Sequence, residues 1–138
     1  MRQQLPDTLP LFERQIRPIR INDLDRAAKF YDAIAAEMGT GRMMEFETYI
    51  AWGSMDGPAG IAATKPFDGQ PATVGNGTMV ALQAKDRAQV DRIYEIALAN
   101  GGSDEGEPGP RGEPDENGMV FYAAYFRDPD GNKLNAFL

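Results

Sequence analysis

The chain has 138 residues, a net charge of −7, and neither histidine nor cysteine. Its length and its hydrophobic fraction of 42% predict one globular domain, and no apolar run is long enough for a membrane helix or a signal peptide. The missing residue types exclude disulfides, thiolate chemistry and histidine bases, and the acidic balance argues against nucleic-acid binding. We therefore expect a cytoplasmic protein with no nucleic-acid and no membrane partner.

Two amphipathic helices are predicted from apolar residues that recur at helical spacing. The first follows Asn22 or Asp23, either of which can cap it, and ends at Gly39. The second follows Asp86 and ends at Gly101–Gly102. A shift of 63 residues places Asp23 on Asp86 and also aligns the apolar stripes and the glycine stops of the two helices. This coincidence indicates an internal duplication.

Strand-like segments surround each helix and give the order βαβββ twice, which predicts an α+β fold. A strand precedes each helix, at 16–21 and at 79–84. The other segments lie at 42–47, 48–54 and 60–67 in the first half, and near 105–112, at 119–128 and at 132–138 in the second. The sequence "DPDG" at 128–131 predicts a hairpin turn between the last two strands.

The second half contains an acidic run and, after it, a strand whose orientation the sequence leaves open. The acidic run "SDEGEPGPRGEPDENG", residues 103–118, is expected to be an exposed loop. The strand after it alternates between two faces, one with Met119, Phe121, Ala123 and Tyr125, the other with Val120, Tyr122, Ala124 and Phe126. The sequence does not decide which of these faces is turned toward the helices.

Four stretches of the chain resemble the glyoxalase / bleomycin-resistance / extradiol-dioxygenase superfamily, also called vicinal oxygen chelate proteins. They are "INDLDRAAKFYDAI", "GNGTMVALQAKDRAQVDRIYEIALANGG", "GEPGPRG" and "FYAAYFRDPDGNKLNAF". The resemblance implies two βαβββ modules whose sheets curl into a half-open cup, a homodimer, and a divalent metal ion in the cup. It divides the chain into an N-terminal extension at 1–14 and a single domain at 15–138, with module 1 at about 15–70 and module 2 at about 75–138.

The resemblance also implies where metal ligands would stand. Relatives that bind metal carry a histidine on the first strand of each module and a carboxylate on the last strand. Here those positions hold Ile16, Met79 and Asn135, and no acid lies at 62–64, where a fourth ligand is expected. Isoleucine and methionine do not bind hard divalent cations, and one asparagine carbonyl is a weak ligand. We therefore expect no metal and no cofactor.

The remaining features predict metal-free binding of a small organic molecule in the cup. The candidate ligand-binding residues are Ile16, Trp52, Met79, Phe121, Tyr122, Tyr125, Asn135 and Arg111. We expect Met79 and Asn135 to meet at the floor of the main cavity, with a tyrosine beside them. The alternative is a superfamily enzyme of lyase, isomerase or dioxygenase type, with altered or metal-dependent chemistry and a tyrosine or Glu45 or Glu47 as base. The sequence assigns no catalytic residue and does not identify the ligand.

The predicted assembly is a homodimer with a two-fold axis. Two short sheets leave strand edges and apolar walls that a single chain covers poorly. The apolar residues Leu9, Leu11 and Phe12 of the extension are expected to pack on the partner. Whether the two modules pair within one chain or across the dimer stays open.

Overall fold

A computed structural model of the chain describes residues 17–54, 57 and 59–138. Within those residues the elements follow one another in the order that the sequence predicts. They are β1 Arg17–Arg20, α1 Leu24–Glu37, β2 Gly41–Phe46, β3 Tyr49–Gly53, β4 Ile61–Thr64, β5 Val80–Gln83, α2 Arg87–Ala99, β6 Ser103–Arg111, β7 Phe121–Arg127 and β8 Lys133–Phe137. The N-terminal extension at 1–14 and the residue Ile16 lie outside the described residues.

The described strands form two four-stranded sheets that share one topology. The first sheet has the order β1-β4-β3-β2 and the second the order β5-β8-β7-β6. In each sheet the first strand of the module runs parallel to its last strand, and the other pairs are antiparallel. The sheets are curved and not closed. This arrangement confirms the predicted α+β fold of two βαβββ modules.

Both helices begin and end where the sequence predicts. The side chain of Asp23 caps α1 by accepting a hydrogen bond from Arg26 N, and Asp86 caps α2 in the same way. Gly39 follows α1 with a φ of +80°, in the left-handed region that glycine occupies without a steric penalty. Residues of both helices and both sheets form one core cluster. The two modules of a single chain therefore pack together through their helices.

The acidic segment at 103–118, expected to be a loop apart from a strand-like stretch near 105–112, contains a strand of nine residues. Residues 103–111 form β6, which pairs antiparallel with β7 at the edge of the second sheet. Its register shifts twice, between Asp104 and Gly106 and between Gly106 and Gly109. Proline and glycine are tolerated at such bulges and on edge strands because fewer ladder hydrogen bonds are required there. The composition therefore suits an irregular edge strand, while residues 112–118 remain outside the regular elements.

The β7–β8 hairpin of the second module is anchored on α1 of the first. The hydroxyl of Tyr31 donates to Asp128 Oδ2 at 2.7 Å. Asp130 Oδ1 accepts from the backbone N–H of Asn22 at 3.1 Å and from Arg26 Nη2 at 2.8 Å. The "DPDG" turn thus closes the predicted hairpin and also joins the two modules.

None of the helices in the described part of the chain is long and apolar enough to span a membrane.

Candidate functional site

The second sheet has one face against the helices and one face free of them. Leu134 and Ala136 of β8, and Ala124 and Phe126 of β7, belong to the core that contains both helices. Because side chains alternate along a strand, the residues between them lie on the opposite side. We call that side the open face of the second sheet; it consists of Ala81 of β5, Phe121, Ala123 and Tyr125 of β7, and Lys133, Asn135 and Phe137 of β8.

Asn135 lies in the middle of the open face. Its cross-strand neighbours are Ala81 on β5 and Tyr125 on β7. Asn135 is 2% exposed, and its Oδ1 has no hydrogen-bond partner among the described residues. A buried acceptor without a donor costs about 1–3 kcal/mol. Within the described residues, this buried oxygen is therefore a polar group whose desolvation no hydrogen bond offsets.

Met79 does not lie directly opposite Asn135, and the expected approach of the two side chains stays a prediction. The parallel register places Ala81 directly opposite Asn135, and Met79 precedes Ala81 by two residues, just before β5. Met79 is 45% exposed. A tyrosine does lie beside Asn135, and it is Tyr125.

Two cations converge on the ring of Tyr125. Arg111 Cζ lies 5.6 Å from the ring centroid, and Lys133 Nζ lies 5.5 Å from it. Arg111 comes from β6 and Lys133 from β8, the two strands that flank β7. Phe121 and Phe137 stack beside them with ring centroids 5.8 Å apart. The open face thus combines aromatic surface with two positive charges.

The guanidinium of Arg111 is held in place by the backbone of its own strand. Arg111 Nη2 donates to the carbonyl of Glu107 at 2.6 Å, and Nη1 donates to the carbonyl of Pro110 at 3.3 Å. A Cβ at Gly109 would come within 3.1 Å of Nη1, and one at Gly106 within 3.3 Å of Nη2. The glycines of "EGEPGPRG" therefore leave the space that the guanidinium occupies over Tyr125.

Trp52 lies elsewhere, on the helix-facing side of the first sheet. It is 1% exposed, and its Nε1–H donates to Asp32 Oδ1 at 2.7 Å. Hydrogen bonds from Arg42 hold the pKa of Asp32 below its usual value, so the acceptor stays charged. Trp52 lines an apolar cavity of about 350 Å³ between α1, the β3–β4 end of the first sheet and β5. Among the predicted site residues that the structure describes, Trp52 alone lines this cavity.

Tyr122 also lies away from the open face. Its hydroxyl donates to Asp91 of α2 at 2.7 Å, and Arg87 Cζ lies 4.7 Å from its ring. The hydrogen bond to Asp91 raises the pKa of Tyr122, which keeps the hydroxyl protonated at neutral pH. Of the two tyrosines on β7, Tyr125 is therefore the one on the open face.

Of the glutamates considered as bases, Glu45 forms an ion pair with Arg42 at 3.0 Å.

The residues at the positions implied for metal ligands do not fit a divalent metal ion. Asn135 offers one neutral carbonyl oxygen and Met79 a thioether. In the first sheet, the position equivalent to Asn135 holds Ala62, because Ala62 pairs with Pro18 on β1 as Asn135 pairs with Ala81 on β5. The described residues contain no group of three or more acidic, histidine or cysteine side chains that could hold a metal. Hard divalent cations need several oxygen ligands, usually carboxylates, and this donor set lacks them. Ile16 lies outside the described residues.

Sequence reasoning missed two side chains of the open face that the site uses, Lys133 and Phe137. In "NKLNAF", Lys133 stands two positions before Asn135, so strand alternation alone places both side chains on one face. Together with Arg111 it makes the surroundings of Tyr125 positive, although the chain as a whole has a net charge of −7.

The comparisons with known proteins agree on the fold and the family. A profile of the Glyoxalase/Bleomycin resistance protein/Dioxygenase superfamily matches residues 14–136. A glyoxalase/bleomycin resistance protein from Albidiferax ferrireducens T118 is 37% identical, with a TM-score of 0.77 over 88% of this chain and 95% of that one. No match was found among curated proteins.

Two more distant structures show the fold alone. A glyoxalase-related enzyme from Fulvimarina pelagi is 19% identical, with a TM-score of 0.65 over 88% of this chain and 84% of that one. A glyoxalase/bleomycin resistance protein/dioxygenase family enzyme from Burkholderia phytofirmans PsJN is 13% identical, with a TM-score of 0.67 over 89% of this chain and 95% of that one. With a matching profile over almost its whole length, the chain belongs to the Glyoxalase/Bleomycin resistance protein/Dioxygenase superfamily.

Proposed function

We propose that this member of the superfamily binds a small organic molecule on the open face of the second sheet, without a metal ion. One observation carries the proposal. Asn135 is buried in the middle of that face, and its Oδ1 has no partner among the residues that the structure describes. A buried polar group that lowers stability needs a compensating role, and binding a ligand is such a role.

The surroundings of Asn135 suit an organic ligand better than a metal ion. Tyr125 and the stacked pair Phe121 and Phe137 offer aromatic surface, which provides binding free energy when a ligand covers it. Phe121 is 43% exposed, so part of this surface is free in the single chain. Asn135 Oδ1 is covered in the free chain, so binding through it requires a neighbouring side chain to move aside.

The enzymatic alternative receives no comparable support from the geometry. A tyrosine base would need a hydroxyl that loses its proton readily, whereas Tyr122 is bound to Asp91 and its pKa is raised. Glu45 is paired with Arg42. The surroundings of Tyr122 and Glu45 therefore do not favour either residue as the base.

The proposal predicts that ligand binding is independent of metal. Small aromatic fragments should be titrated into isotope-labelled protein and followed by NMR, once with EDTA and once with an excess of Zn²⁺. We expect the same signals, those of Ala81, Ala123 and Tyr125, to shift by the same amounts in both samples. Fragment binding that appears only with Zn²⁺ would contradict the proposal.

A restored metal site provides the positive control for that experiment. The triple variant Ile16→His, Met79→His, Asn135→Glu carries the ligand types that the resemblance implies, and it should bind one Zn²⁺ per chain in calorimetry. The matched variant with Asn135→Gln in place of Asn135→Glu lacks the carboxylate and should bind Zn²⁺ at least about tenfold more weakly. Binding of Zn²⁺ by the unaltered protein at one ion per chain would contradict the loss of the site.

We also propose a homodimer, in which a second chain faces the open face and turns it into a cavity. Exposed apolar side chains support this, including Met79 at 45% and Phe121 at 43% exposure. Light scattering on the eluted protein should give about twice the chain mass of 15.1 kDa at micromolar concentration. A mass equal to one chain would contradict the dimer and leave the open face exposed to solvent.

A further inference from the structure

The positive charges around Tyr125 form no direct salt bridge in the described part of the chain, although Lys133 interacts with Glu105 through longer-range electrostatics. Neither Arg111 nor Lys133 forms an ion pair within 4.0 Å with a described residue. The nearby acids of β6 are engaged elsewhere: Glu105 pairs with Arg127, and Asp104 accepts from Tyr94 at 2.9 Å. Two cations are thus left facing one aromatic ring.

Arg111 is positioned in advance of any ligand. Its two hydrogen bonds to the carbonyls of Glu107 and Pro110 fix the plane of the guanidinium and use two of its five N–H donors. The space over Gly106 and Gly109 admits it. A guanidinium with free donors is suited to a carboxylate, which accepts two parallel hydrogen bonds from it. Because this guanidinium is already fixed, its side chain loses little entropy when the carboxylate binds.

We infer that the ligand of the open face is an organic carboxylate whose anionic group binds between Arg111 and Lys133, with its apolar part on Tyr125, Phe121 and Phe137. This inference rests on the proposed function and names the class of its ligand. The proposed site is thus basic although the chain as a whole has a net charge of −7. The bound carboxylate would be attracted by both cations, since Arg111 Cζ and Lys133 Nζ each lie within 5.6 Å of the centroid of the Tyr125 ring.

Three fragments of equal size and different charge test the inference. Phenylacetate, phenylacetamide and phenethylammonium share a benzene ring and carry an anionic, a neutral and a cationic group. We expect phenylacetate to bind at least about tenfold more tightly than the amide, because charge-assisted hydrogen bonds are about twice as strong as neutral ones. The cation should bind most weakly. Added KCl should weaken the binding of phenylacetate and leave the binding of phenylacetamide unchanged.

Matched variants assign the effect to the named residues. Arg111→Gln and Lys133→Gln should each weaken phenylacetate binding about tenfold or more and leave binding of phenylacetamide within about twofold. Gly109→Ala keeps both charges but crowds Arg111 Nη1, and it should weaken phenylacetate in the same direction. Arg87→Gln removes a cation that lies over Tyr122, on the other side of the same strand, and should change nothing.

The outcomes separate the two proposals. If the amide or the cation binds as tightly as phenylacetate, or if Arg111→Gln has no more effect than Arg87→Gln, the inference is wrong while the binding function stands. If no fragment of any charge shifts the signals of the open face, the proposed function is wrong as well.

Discussion

Replacement of Asp128 by alanine is expected to lower the free energy of unfolding by about 3–5 kcal/mol. Asp128 is 3% exposed and accepts four hydrogen bonds: from Tyr31 Oη at 2.7 Å, and from Asn132 Nδ2, Asn132 N and Asp130 N, each at 2.9 Å. Its loss leaves these donors without an acceptor and removes one of the two contacts that anchor the hairpin, while the contact from Asp130 to Asn22 and Arg26 remains. Urea denaturation followed by circular dichroism measures the effect.

Two comparisons sharpen this prediction. Tyr31→Phe removes one of the four donors and should cost about 1–2 kcal/mol, well below the cost of Asp128→Ala. Burial raises the pKa of Asp128 above its ordinary value of 3.8, so the folded chain binds this proton more tightly than the unfolded chain does. The stability that protonation provides is therefore lost as the pH rises from the unfolded pKa through the folded pKa. Asp128→Ala should abolish this dependence of the free energy of unfolding on pH. A decrease in the free energy of unfolding of less than about 1 kcal/mol for Asp128→Ala would show that the hairpin does not depend on this anchor.

Replacement of Asn135 by leucine is expected to raise the free energy of unfolding by about 1–3 kcal/mol in the absence of ligand. The substitution removes a buried acceptor that has no partner among the described residues and adds apolar surface beside Ala81 and Tyr125. The smaller variant Asn135→Val guards against overpacking and should show the same sign. Both variants should weaken fragment binding at least about tenfold, since they remove a polar anchor of the proposed site.

The opposite result would change the interpretation of Asn135. If both variants lose stability in denaturant titrations, the carboxamide is satisfied in the folded protein and its burial is structural. Gain of stability with loss of binding is the combination expected of a residue retained for a ligand.

The sequence predicts most of the scaffold because the scaffold depends on local patterns. Helical periodicity and the caps Asp23 and Asp86 predict both helices, and "DPDG" predicts the hairpin. Strand β6 is predicted only roughly, as a strand-like segment near 105–112 inside a run also expected to be a loop, because proline and glycine disfavour strands unless an edge and its bulges accommodate them.

The candidate site was only partly predictable, because it depends on which face of a strand meets the helices. Alternation along β7 puts Tyr122 and Tyr125 on opposite faces of the sheet. Packing decides which face meets the helices, and it is the face with Ala124 and Phe126. Trp52 lies on the helix side of the first sheet, where its Nε1–H donates a hydrogen bond to Asp32, 20 residues away in sequence. Such contacts between distant segments leave no periodic pattern in the sequence.

A crystal structure of the protein grown with phenylacetate and Zn²⁺ present tests the central claim most directly. We predict density for the carboxylate between Arg111 and Lys133, for the benzene ring against Tyr125, and none for a metal ion beside Asn135. A zinc ion bound by residues of the open face, or phenylacetate found in the cavity beside Trp52 with the open face empty, would contradict the account.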